Sequence, residues 1–105
     1  MKYNKKYIDI KYGLMRSFML DMEENILDIS YGYDINSINI QIVLLYGTTL
    51  SNNIKNRLFE NLNEFEIVIS EVFISKTNFN DNKGIWQPKH YTWLPNLLFS
   101  KAEVL

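Results

Sequence analysis

Cysteine is absent from this chain of 105 residues, and with it go disulfides, thiolate zinc sites, iron–sulfur clusters and cysteine nucleophiles. A reducing cytoplasm is the compartment such a composition fits. Histidine occurs once, as His90, so a histidine metal site would have to find every other ligand elsewhere. Glycine is sparse, and Gly32, Gly47 and Gly84 are isolated, which leaves no glycine-rich cradle for a phosphate. The longest unbroken apolar run is Ile42 to Tyr46, far short of the roughly 20 residues that span a bilayer. Near the N-terminus Asp9, Lys11 and Arg16 interrupt any apolar stretch that might serve as a secretory signal. A soluble protein that is not exported by that route is expected.

What is present is enough for a folded core. Hydrophobic residues make up 47% and charged residues 22% of the chain, values of a globular protein rather than a disordered one. A single domain spanning residues 1–105 is expected, burying roughly two-thirds of its unfolded surface. Charge is unevenly placed. Between Asp21 and Glu71 nine carboxylates stand against Lys55 and Arg57, whereas the first twenty residues carry Lys2, Lys5, Lys6, Lys11 and Arg16 against Asp9. The net charge of −1 therefore conceals a polarised sequence, and segregated charge steers and holds a complementary partner.

Period-two alternation predicts most of the secondary structure. Leu27, Ile29, Tyr31 and Tyr33 fall on one face of a strand, with Asp28, Ser30, Gly32 and Asp34 on the other. Ile38, Ile40, Ile42, Leu44 and Tyr46 form a second strand, and Asp34-Ile35-Asn36-Ser37 supplies the turn of an antiparallel hairpin. Upstream, Tyr7 to Tyr12 and Leu14 to Leu20 read as two further strands hinged near Gly13. One helix is predicted, with Ser51 as N-cap and Ile54, Leu58, Leu62 and Phe65 on its buried stripe. A β-branched strand follows from Glu66 to Ile74, then a loop from Asn78 to Gly84, and Leu98 to Val104 as a last strand. The expected fold class is α+β: an antiparallel sheet of about five to six strands packed against one main helix.

No catalytic constellation emerges, and the expectation is a protein that is not an enzyme and uses no cofactor or metal. His90 is the one candidate general base, and sequence does not show which of Glu64, Glu66 or Glu71 comes near it as the second titratable group. Asn78, Asn80 and Asn82 alternate like ligands of a calcium loop, yet Lys83 and Lys89 occupy positions where that loop needs glycine and glutamate. Tyr3, Tyr7 and Tyr12 among lysines resemble a nucleic-acid surface, which the excess of carboxylates elsewhere opposes.

Two segments stand out as partner-binding candidates. The first is acidic: Asp21, Glu23, Glu24, Asp28 and Asp34, with no lysine or arginine among them. The second is the tail that holds Trp86 and Trp93, whose rings either cover an open face of the sheet or act as interface anchors.

Small size, this acidic segment, the lack of a catalytic constellation and a composition rich in isoleucine, asparagine and lysine resemble the immunity proteins of bacterial toxin systems. The resemblance is to the class, in particular the immunity proteins of contact-dependent growth inhibition and of nuclease bacteriocins. It implies one partner, a cognate toxin domain that is often a basic nuclease, held tightly enough to block its active site. The alternatives are a small nucleic-acid-binding regulator, an adaptor subunit of a larger assembly, and an enzyme built on His90.

Overall fold

The computed structural model describes residues 2–19, 22–75 and 93–100, with side chains of the first segment described from Asp9 onward. His90, the Asn78–Gly84 loop, Trp86 and Asp21 lie outside the described residues. The element order is α1 (Lys2–Met19), β1 (Ile26–Tyr33), β2 (Ser37–Leu45), α2 (Asn52–Asn61), β3 (Glu66–Ile74) and β4 (Asn96–Ser100). The class is α+β. No helix among the described residues is long and apolar enough to cross a membrane.

The two strands expected on either side of Gly13 are instead the single helix α1. Ile10, Leu14 and Phe18 recur every four residues, and all three are buried in one cluster with α2 and the sheet. Alternation and helical spacing coexist in this segment, and packing decides between them. Gly13 is a contact point, not a hinge. A Cβ built on it would stand 2.4 Å from Leu62 Cδ2 and 2.9 Å from Leu62 Cγ, so the missing side chain lets α1 lie close on the end of α2.

Next to Gly13 in this contact, Ser17 donates to the Gly13 carbonyl at 2.7 Å and accepts from Asn61 Nδ2 at 3.1 Å. Arg57 Nε donates to the Ser17 carbonyl at 3.0 Å, placing a cation in the last turn of α1, where the helix dipole favours one. Gly13→Val is expected to force the helices apart and cost about 1–3 kcal/mol, as overpacking does. A lower thermal midpoint with helical circular dichroism retained below it is the expected measurement.

The hairpin expected between β1 and β2 is present. Asp34 Oδ1 accepts from the Asn36 and Ser37 amides, both at 2.9 Å, and from the Ser37 hydroxyl at 3.0 Å, an Asx turn that closes the loop. Gly47, at φ 90°, turns the chain out of β2 in the left-handed region that glycine adopts without penalty. Helix α2 then starts at Ser51, whose hydroxyl accepts from the Ile54 amide at 3.2 Å, the N-cap that the sequence predicts.

The described sheet has four strands in the order β3-β2-β1-β4 and is mixed. This corrects the expectation of five to six antiparallel strands. The N-terminal pair is helix, and α2 is a crossover between β2 and β3, which returns the chain to its starting end and makes those two strands parallel. The last strand begins at Asn96, just after Pro95, rather than at Leu98.

Alternate residues of β2 serve two faces. Ile38, Ile40, Ile42 and Leu44 join Ile29 and Tyr31 beneath Ile10, Leu14, Phe18, Ile54, Leu58 and Leu62. On the opposite face Leu27, Val43 and Ile74 form a second buried cluster, flanked by Leu45 and Val72.

Candidate partner-binding surface

Strand β1 distributes the acidic segment rather than gathering it. Glu23 and Glu24 precede the strand and Asp34 follows it; eight extended residues at about 3.3 Å each hold the two groups roughly 26 Å apart. Glu23 is half-buried, and its Oε1 accepts from the Ser51 amide at 3.3 Å, so it sits at the N-terminus of α2, where a negative charge is favoured. Glu24 is exposed in the turn. Asp34 is exposed as well, but its Oδ1 is occupied by the hairpin.

Asp28, expected to point outward, is fully buried. It pairs across the sheet with Val43 and Ser100, on the face opposite the helices. Its Oδ2 accepts from Trp93 Nε1 at 2.6 Å. Alongside, the Leu94 amide donates to Ser30 Oγ at 3.1 Å, and a Cβ on Gly32 would stand 3.3 Å from Pro95 Cδ. The chain from Trp93 to Pro95 thus lies across the polar side of β1. Trp93 is half-buried and its indole N–H is committed to this contact. Asp28 is therefore turned inward to Trp93, which remains partly exposed.

At the hairpin end Glu66 is brought to the Asp34 turn. The crossover delivers β3 back to the turn, where the Glu66 amide donates to the Asn36 carbonyl at 2.9 Å and Glu66 pairs with Ser37, itself bonded to Asp34. Glu60 and Glu64 lie at the end of α2 that feeds this strand, and Glu60, Glu64, Glu66 and Asp34 are all exposed. Beside them a cleft of about 370 Å³ is lined by Asp9, Tyr12, Gly13, Arg16, Asn61 and Glu64. Ile35 at the hairpin tip is 80% exposed, and Tyr33 stacks on the buried Tyr31 with ring centroids 6.4 Å apart.

Glu60, Glu64 and Glu66 are among the nine carboxylates of the sequence but outside its acidic segment; Glu60 and Glu64 fall outside the Ile54, Leu58, Leu62 stripe, and the parallel return of β3 brings Glu66 to the Asp34 turn. Among the described residues no group of three or more histidine, cysteine, aspartate or glutamate side chains is arranged to hold a metal ion. The chain matches no protein-family model, and comparisons with curated proteins and with solved structures likewise give no match.

Proposed function

We propose that this chain is an immunity protein that binds and neutralises a cognate toxin domain of basic character, such as a nuclease. The observation that supports the reading is the hairpin end, where the exposed Asp34 and Glu66 are joined through the turn residues Asn36 and Ser37 beside the exposed Ile35 and Tyr33, with Glu60 and Glu64 also exposed on the segment that leads into Glu66. An apolar and aromatic centre rimmed by charge is how protein interfaces are built, and a ring already stacked loses little entropy on binding. Carboxylates presented in this way compete for the cations with which a nuclease holds phosphate, and opposite fields speed the encounter.

The test is protection of cells that express candidate toxin domains, together with association rates for any pair that co-purifies. Replacing Glu60, Glu64 and Glu66 by lysine should leave the thermal midpoint close to that of the parent, because exposed positions carry little packing. Association at low salt should slow by roughly tenfold or more, with protection lost. Glu24→Lys, at the far end of β1, is the matched control and should still protect. Full protection by the triple variant would remove the hairpin end from the interface. Nucleic acid retained on purification, with a steep salt dependence, would favour the regulator instead.

A further inference from the structure

We infer that the outer edge of β3 is a self-pairing surface, through which two copies of this chain join their sheets in antiparallel register about Ser70. Strand β3 runs through nine residues against β2 with no shift in register, and contains neither proline nor lysine. Proline, lysine and a bulge are among the devices that blunt an edge strand against pairing; of the charged residues that also do so, β3 carries Glu66 at its first position and Glu71, which Lys55 partners. Among the described residues β3 has a neighbour on one side only, since it stands at the end of the order β3-β2-β1-β4.

Two hydrogen bonds show which backbone groups point away from β2. The Glu66 amide donates to the Asn36 carbonyl at 2.9 Å, and the Ile74 carbonyl accepts from the Tyr46 amide at 2.7 Å. Within a strand the N–H and C=O of one residue point to the same side and alternate from residue to residue. Glu66, Val68, Ser70, Val72 and Ile74 therefore bond inward to β2, while Ile67, Ile69, Glu71 and Phe73 present their N–H and C=O at the free edge.

One antiparallel register satisfies all of these outward groups at once. It sets Ile67 opposite Phe73 of the second copy and Ile69 opposite Glu71, each as a pair that exchanges both bonds, with a two-fold axis at Ser70. A shift to any other register leaves outward groups of one copy without a partner. The side chains agree with the same register. Phe73, 42% exposed, meets Ile67, and Val68, 46% exposed, meets Val72 in a closely spaced pair, so the exposed apolar residues of the strand are covered.

Charge does not oppose this arrangement. Glu66 faces Ile74 and Glu71 faces Ile69, so no carboxylate stands directly opposite another. The two Glu71 side chains lie on a diagonal, about 7–8 Å apart, and each has Lys55 of its own chain at 3.4 Å. The proposal shares only Glu66, at the end of the strand, with the toxin-binding surface, and it is tested at Ser70, which that surface does not include.

Light scattering on the full-length chain, over a concentration series, tests the proposal. The parent should show twice the 12.5 kDa mass of one chain at its upper concentrations. Ser70 is exposed and its side chain reaches the axis, so Ser70→Asp and Ser70→Lys each place like charges in contact across it. Each variant should run at the mass of one chain with its thermal transition retained, and an equal mixture of the two should recover the doubled mass. In a chain without cysteine, Ser70→Cys should form a disulfide-linked dimer on oxidation. A parent that stays at the mass of one chain throughout overturns the inference, as do Ser70→Asp protein that remains dimeric and a mixture that stays monomeric. Binding of a toxin strand that is lost in Ser70→Asp, with the parent monomeric alone, would assign the edge to the partner and also overturn it.

Discussion

Leu58→Asp is expected to abolish the cooperative thermal transition of this protein, and Asn56→Asp to leave it nearly unchanged. Leu58 is fully buried at the centre of the α2 stripe, between Ile54 and Leu62 and in one cluster with Ile10, Leu14, Phe18 and the isoleucines of β2. Removing the leucine alone costs about 2–5 kcal/mol through lost transfer energy and the cavity left behind. Placing an ionised carboxylate in that site adds a desolvation penalty of several kcal/mol with no cation to offset it. A domain of this size has a total stability of about 5–15 kcal/mol, so the two terms together exhaust most or all of it. Asn56 is two residues away and exposed, where a substitution moves stability by about 0.5 kcal/mol at most. Equal midpoints for the two variants would show that the stripe does not face the sheet.

Asp28→Lys is expected to unfold or severely destabilise the chain, while Glu24→Lys, four residues earlier, is not. Asp28 is fully buried and bonded to Trp93 Nε1 at 2.6 Å. Its replacement buries an ammonium among Leu27, Val43 and Ser30 and turns the indole N–H from a bonded donor into one facing a cation. Burying an ammonium without a partner costs several kcal/mol, and the lost Trp93 bond adds to it. Trp93→Phe removes only the donor and should cost less, about 1–3 kcal/mol, the penalty for leaving a buried acceptor without its donor. Chemical denaturation of the three variants orders them. If Asp28→Lys unfolds at the same denaturant concentration as Glu24→Lys, the second sheet face is not closed over Asp28.

The hairpin, helix α2 with its Ser51 cap, and strand β3 were legible in the amino-acid order because each rests on contacts within a few residues. Asp34 closes the turn by bonding residues two and three positions on, and Ser51 caps an amide three positions on. The side-chain period of a strand or helix is likewise a property of the local backbone. Residues 2–19 were misread because their apolar positions satisfy both periods. What settled them as helix is Gly13 lying against Leu62, a contact across half the chain.

Strand direction followed the same rule. A crossover helix obliges β2 and β3 to be parallel, and their order beside β1 is a choice made by packing. The acidic segment shows the limit most plainly. Sequence alone establishes how many carboxylates the chain has and predicts a hairpin from Ile26 to Tyr46 with Asp34 at its turn, of which the structure ends the second strand at Leu45. Only the tertiary structure sends Asp28 inward to Trp93, sixty-five positions away, ties Glu23 to α2, and brings Glu66 to the Asp34 turn. Alternation states that a side chain leaves one face of a strand, and whether that face meets water depends on what the rest of the chain lays over it.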